Sequence, residues 1–130
     1  MRITPLVLLV DDEEIFLEIA AVKLRAQGFD TESAHDAIEA IAKAEALQPD
    51  LVLSDIHMPG PNGWDFALEL RRNPKTHTIR IAFFTSLNDP WTEVSPEKKE
   101  MIIHEIGTIP IFNKATDVGV LGDRVKILLT

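Results

Sequence analysis

DLVLSDIHMPGPNG, residues 50–63, decides the fold. Leu51, Val52 and Leu53 make an apolar run of strand type, and one acid, Asp55, stands just past its end. In the MPGPNG that follows, two prolines and two glycines neither continue a strand nor begin a helix before Asn62. A buried strand that hands a single carboxylate to a Pro/Gly-rich loop is how an open parallel sheet presents a reactive group at its carboxyl edge. Leu6–Val10 is a second apolar run, and it ends in Asp11-Asp12. Two strand ends carrying three carboxylates predict one shared site.

Strand and helix patterns alternate outward from this stretch, with no internal repeat, low-complexity tract or linker. That is the pattern of one α/β domain built on a parallel sheet. Leu6–Val10 reads as a first strand buried on both faces. Glu14–Gln27 reads as a helix, with Phe16, Ile19, Ala20 and Leu24 at three- and four-residue spacing and Gly28 closing it. Phe29–Ala34 alternates weakly and suits an edge strand. Asp36–Leu47 faces the sheet with Ala37, Ala40, Ile41 and Ala44, and Pro49 stops it. Gly63–Arg72 is a third helix with Phe66, Ala67 and Leu70 inward, ended by Asn73-Pro74. Ile79–Phe84 is a fourth buried strand that finishes at Thr85-Ser86, and LNDPWTEV is turn chemistry. Ser95-Pro96 starts a helix with Ser as cap and Pro at the first position, running to Ile106. Thr108–Phe112 is a fifth strand ending near Asn113-Lys114, and Asp117–Leu129 is a last helix with Val118, Leu121, Val125 and Leu128 inward. The expectation is five strands and five helices.

Composition excludes several classes. The 130 residues carry 13 basic and 21 acidic side chains, a net charge of −8, which argues against a basic nucleic-acid surface and against anionic membranes. There is no cysteine, so disulfides, thiolate metal sites and thiol catalysis fall together. MRITPLVLLV is too short and wrongly flanked for a signal peptide, and no apolar run reaches membrane-spanning length. A cytoplasmic protein is expected.

The ends of the buried strands hold the chemistry. Strand one brings Asp11 and Asp12, strand three Asp55, strand four Thr85 and strand five Lys114, all at one edge if the strands are parallel. Three carboxylates within a few ångströms repel, so they take up protons or share a cation. Oxygen ligands without Cys or a His pair favour a hard ion, Mg²⁺ first among them because it accepts a few carboxylates together with waters and phosphate. With a phosphoryl group present, Asp55 is placed to attack, Thr85 to donate a hydrogen bond and Lys114 to pair with the charge.

These pieces together resemble the receiver domain of bacterial two-component response regulators, from Pro5 to Leu129. The matching segments are VDDE at Val10–Glu13, PDLVLSDIHMPGPNG from Pro49 to Gly63, FFTS at Phe83–Ser86 and NK at Asn113-Lys114. Each is weak alone; the four in this order and separation are specific. The resemblance implies a flavodoxin-like fold with strand order 2-1-3-4-5. It implies that Asp55 accepts a phosphoryl group from the phosphohistidine of a histidine kinase or histidine phosphotransfer protein. It further implies that Mg²⁺ is held by Asp11, Asp12, Asp55 and the backbone carbonyl of His57. Such a protein is a switch rather than an enzyme, and its downstream partner reads the surface of helix 4, strand 5 and helix 5.

Three departures bear on switching. Ala115 replaces the proline that usually follows the lysine through a cis bond, which predicts either a strained cis Lys114–Ala115 bond or a reshaped loop. Ile111 stands where the family has its switch aromatic, and Phe112 points to the opposite face. Asn88–Val94 reads as an insertion before the fourth helix. These departures motivate an alternative, a receiver-like interaction module that signals without phosphorylation. A Mg²⁺-dependent phosphohydrolase ranks lower, since it wants a second acid where His57 stands. A flavin carrier ranks lower again, since Asp11-Asp12 replaces a phosphate cradle. The His57 side chain is expected beside the site in solvent, and His35, His77 and His104 on the surface. Trp64 is expected to be partly exposed, and Trp91 to mark a partner contact or pin its loop.

Overall fold

The computed structural model describes residues 3–130. Its elements are β1 (Leu6–Val10), α1 (Glu14–Ala26), β2 (Asp30–Ala34), α2 (Ala37–Leu47), β3 (Leu51–Ser54), α3 (Gly63–Arg72), β4 (Arg80–Thr85), α4 (Pro96–Ile106), β5 (Ile111–Asn113) and α5 (Leu121–Leu128). The strands form one parallel sheet in the order β2-β1-β3-β4-β5, the flavodoxin-like arrangement. β1 and β3 lie at its middle and are buried at every residue, as continuous apolar runs require. Edge strand β2 alternates exposed and half-buried residues instead, until buried Ala34 at its end.

Period two along the strands divides the core between two faces. Val7, Leu9, Leu51, Leu53, Phe84 and Phe112 point toward Leu17, Ala20 and Leu24 of α1 and Leu121 and Val125 of α5. Leu8, Val10 and Val52 point the other way, toward Ala37, Ala40 and Ala44 of α2 and Phe66 and Leu70 of α3. A third cluster joins Trp64, Ala67 and Leu68 of α3 to Phe83 and to Ile102, the one fully buried residue of α4. Helix starts follow side-chain chemistry: Asp36 accepts from Glu39 N–H, Ser95 accepts from Lys98 N–H, and Asn62 and Asp65 cap each other reciprocally.

Gly63 fixes where α3 begins. Its N–H donates to the Ile56 carbonyl at 2.6 Å, and a Cβ there would lie 2.5 Å from the Asp55 carbonyl oxygen and 2.7 Å from Ile56 Cα. Those neighbours are backbone and do not give way. Gly63→Ala is therefore expected to lower stability by about 1–3 kcal/mol, read as a lower urea midpoint at unchanged slope. A midpoint equal to that of the native chain contradicts the close approach.

The sequence expectations hold for the strand order and need correction at the start of β5 and in the last helix. β5 starts at Ile111 rather than Thr108. Pro110 has no N–H to donate; its carbonyl accepts from Phe83 N–H at 2.8 Å, and regular pairing begins after it. The last helix is divided: Val118–Val120 forms a 3₁₀ turn and α5 starts at Leu121, a segment weakened by Gly119 and Gly122. No cis peptide bond occurs among the described residues, so the reshaped loop is the outcome after Lys114. Asn113 Oδ1 accepts from the N–H groups of Ala115 and Thr116, while Asn113 N–H donates to Asp117 Oδ2 at 2.7 Å.

Candidate functional site

The register carries the sequence's polar strand ends to one edge. Val10 pairs with Ser54, Ser54 with Phe83, and Thr85 with Asn113, and the ladder bonds run on past the strands. Asp11 N–H donates to Ala34, Asp55 N–H to Val10, and Lys114 N–H to Thr85. Asp11, Asp55 and Lys114 thereby sit where β1, β3 and β5 end, and Asp12 follows Asp11 into solvent.

Lys114 lies between two acids. Its Nζ is 2.6 Å from Asp11 Oδ2 and 3.0 Å from Asp55 Oδ2, with all three side chains buried. The Phe16 ring closes the cation from above, its centroid 4.0 Å from Nζ. Each acid also accepts a backbone N–H: Asp55 Oδ1 from Ile56 at 2.7 Å and Asp11 Oδ1 from Glu13 at 3.0 Å. Ser54 donates to the Asp55 carbonyl. The acceptor-side geometry of Asp55 is thus fixed by its own strand end.

Charge is not balanced here. Burial pushes the Asp11 carboxyl above its usual 3.8, and the lysine and the Glu13 N–H only partly offset it. Burial also pulls on the Lys114 ammonium, but its hydrogen bond with Asp11 and the charge of Asp55 outweigh that, and its pKa stays above 10.5. One ammonium therefore faces two buried carboxylates and an exposed third. Carboxylate oxygens of Asp11, Asp12 and Asp55 lie within 4.8 Å of one another. Three hard oxygen donors at that spacing, short of positive charge, fit a divalent cation of the Mg²⁺ type.

Thr85 shares the edge, and its Oγ1 accepts from Leu87 N–H at 3.2 Å, which leaves its own proton free to donate elsewhere. The His57 side chain is exposed, as expected of it, and so are His35, His77 and His104.

The model of the response regulator receiver domain matches residues 7–102. The chain belongs to that family. Among relatives of this receiver domain, the DNA-binding dual master transcriptional regulator RpaA of Synechocystis is 32% identical over 125 residues, covering 96% of this chain and 49% of the relative. The DNA-binding response regulator MtrA of Mycobacterium tuberculosis is 42% identical over 83 residues, 64% of this chain and 36% of the relative. The chain spans about half of RpaA's length, and its match to MtrA a smaller share. Among solved structures, chemotaxis protein CheY4 of Vibrio cholerae superposes with a TM-score of 0.76 at 27% identity, over 95% of this chain and 98% of the other. The signal receiver domain of a signal transduction histidine kinase from Syntrophus aciditrophicus gives 0.77 at 28%, over 97% and 90%. Receiver domains are signalling modules of two-component systems, and this one carries no helix, among its described residues, long and apolar enough to cross a membrane.

Two features of the receiver site escaped the sequence. Spacing puts Phe16 on the core face of α1; in the fold it is half-buried and covers Lys114. Trp64 is buried at 1% exposure rather than partly exposed, because Trp91 from the segment between β4 and α4 lies flat against it. Spacing within α3 shows nothing of a partner 27 residues away.

Proposed function

We propose that this receiver accepts a phosphoryl group on Asp55 from the phosphohistidine of a histidine kinase or histidine phosphotransfer protein, in the cytoplasm, and thereby changes its affinity for a downstream protein. The observation that carries the reading is the buried Asp11–Lys114–Asp55 cluster with Asp12 beside it. Buried charges are costly, and a binding module that never handled phosphate gains nothing from keeping three at one edge. The geometry therefore gives no support to the non-phosphorylating alternative.

In this reading an Asp55 carboxylate oxygen attacks phosphorus, the P–N bond to the donor imidazole breaks, and an acyl phosphate forms on Asp55. Lys114 Nζ, already 3.0 Å from Asp55, pairs with the phosphoryl charge, and Thr85 turns its free proton toward a phosphoryl oxygen. Asp11, Asp12, Asp55 and the His57 carbonyl would hold Mg²⁺, which supplies neutralisation of the transferring oxygens. Lys114 Nζ, held between Asp11 and Asp55, lies within reach of a phosphoryl group on Asp55. The downstream partner is assigned to the face of α4, β5 and α5, where Ile111 and the insertion distinguish this chain. Direct nucleic-acid binding by this receiver is not part of the proposal, given its net charge of −8.

Incubation with Mg²⁺ and acetyl phosphate tests it by intact mass. The native chain is expected to gain one phosphate and Asp55→Asn none; labelling that persists in Asp55→Asn refutes the assignment.

A further inference from the structure

The segment before α4 is tied to the rest of the domain at two points. Trp64 Nε1 donates to the Pro90 carbonyl at 2.9 Å, and the Trp64 and Trp91 rings stack with centroids 3.9 Å apart and planes at 17°. The other edge of Trp64 meets Phe83 of β4 at 4.7 Å. Lys99 of α4 lies over the Trp91 ring, 4.9 Å from its centroid. Trp64 itself follows Gly63, whose N–H is bonded to the residue after Asp55. At its other end the insertion is tied to Thr85, whose Oγ1 accepts from Leu87 N–H. Residues 87–94 thus form a strap with one anchor at Thr85 and one at Trp64. Between the strap and the β3–α3 loop with the start of α3 lies a cavity of about 330 Å³ lined by Ile56, His57, Trp64, Leu87, Pro90 and Val94 among others. The tryptophan pair holds the strap against the start of α3, with that cavity beside it.

We propose that Trp64 and Trp91 are a latch that regulates phosphorylation of Asp55 and transmits it to α4, in place of an aromatic on β5. The inference rests on Asp55 being the acceptor. When Thr85 donates to a phosphoryl oxygen, Leu87 moves with it and draws the strap into the cavity. The Pro90 carbonyl leaves Trp64 Nε1, Trp91 leaves the Trp64 ring, and Lys99 loses its aromatic partner. β5 has no part equivalent to this: Ile111 is aliphatic, and Phe112 packs on the opposite face with α1 and α5. While the latch is closed it opposes the strap movement that phosphorylation needs, so weakening it speeds labelling.

The test follows the initial rate of labelling by acetyl phosphate and Mg²⁺, by intact mass, in the native chain, Trp91→Ala and Trp91→Phe. Circular dichroism checks that each is folded. Trp91→Ala is expected to label about two- to tenfold faster than native, the range one aromatic pair supplies, and Trp91→Phe, which keeps a ring, to stay within about twofold. Acrylamide quenching of the native tryptophan emission is expected to rise about twofold on adding beryllofluoride and Mg²⁺, as Trp91 leaves its partner. Labelling of Trp91→Ala at or below the native rate overturns the latch alone, and so does unchanged quenching in a chain that labels. A native chain that takes no phosphate overturns the acceptor reading and the latch with it.

Discussion

Lys114→Ala is expected to destabilise the metal-free protein by about 3 kcal/mol or more, roughly 10 °C in Tm. The side chain is 3% exposed and bonds Asp11 at 2.6 Å and Asp55 at 3.0 Å. Its removal leaves two buried carboxylates facing each other with no cation, under a Phe16 ring that has lost its charge partner. The deficit depends on pH with a definite sign. Asp11's folded pKa lies above its usual 3.8, so its contribution favours the fold below that value and is lost as pH rises through the folded one. Lys114's folded pKa is raised above 10.5, so its contribution is complete below 10.5 and lost as pH rises through the folded value. At neutral pH the lysine thus offsets a cost that acid removes. The deficit of Lys114→Ala should be largest near pH 7, shrink toward pH 4 and shrink again when Mg²⁺ is added. Urea titrations of both chains with chelator at the two pH values measure it. An equal deficit at both, unmoved by Mg²⁺, contradicts the charge balance described.

Asp12→Ala separates function from stability more sharply. Asp12 is exposed and shares the donor set with Asp11 and Asp55. Its loss should change stability by no more than about 0.5 kcal/mol, as surface substitutions do. Phosphorylation by acetyl phosphate should nevertheless slow by at least about a hundredfold at limiting Mg²⁺, since a divalent cation at the transferring oxygens supplies several kcal/mol of stabilisation. Excess chelator should impose a comparable loss on the native chain. Labelling of Asp12→Ala at the native rate across a Mg²⁺ titration removes Asp12 from the donor set.

What the sequence disclosed and what it hid divide along a physical line. Asp11, Asp55 and Lys114 were legible as one site because a parallel sheet forces every strand's carboxyl end to the same edge, whatever the helices between do. The faces of Ile111 and Phe112 followed from period two alone and stand as expected. The start of β5 was misplaced because Ile109 is buried and apolar like a strand residue, yet Pro110 delays the ladder. Gly122, near the start of α5, has a packing role that spacing does not reveal. A Cβ on Gly122 would lie 2.4 Å from Gln27 Cγ and 3.1 Å from the Lys23 carbonyl, so this glycine serves the contact with α1 and not helix propensity. The surroundings of Trp64 and Phe16 depend on partners distant in sequence, Trp91 and Lys114. A helical stripe tells which way a residue faces but not which loop or lysine comes to meet it.

Of three adjacent carboxylates, Asp55 alone is expected to form the acyl phosphate. Borohydride reduction of the phosphorylated chain converts an aspartyl phosphate to homoserine, and peptide mass spectrometry then locates it. Homoserine is expected at position 55 with aspartate retained at 11 and 12; homoserine at 11 or 12, or phosphate on a histidine instead, rules out Asp55 as the acceptor.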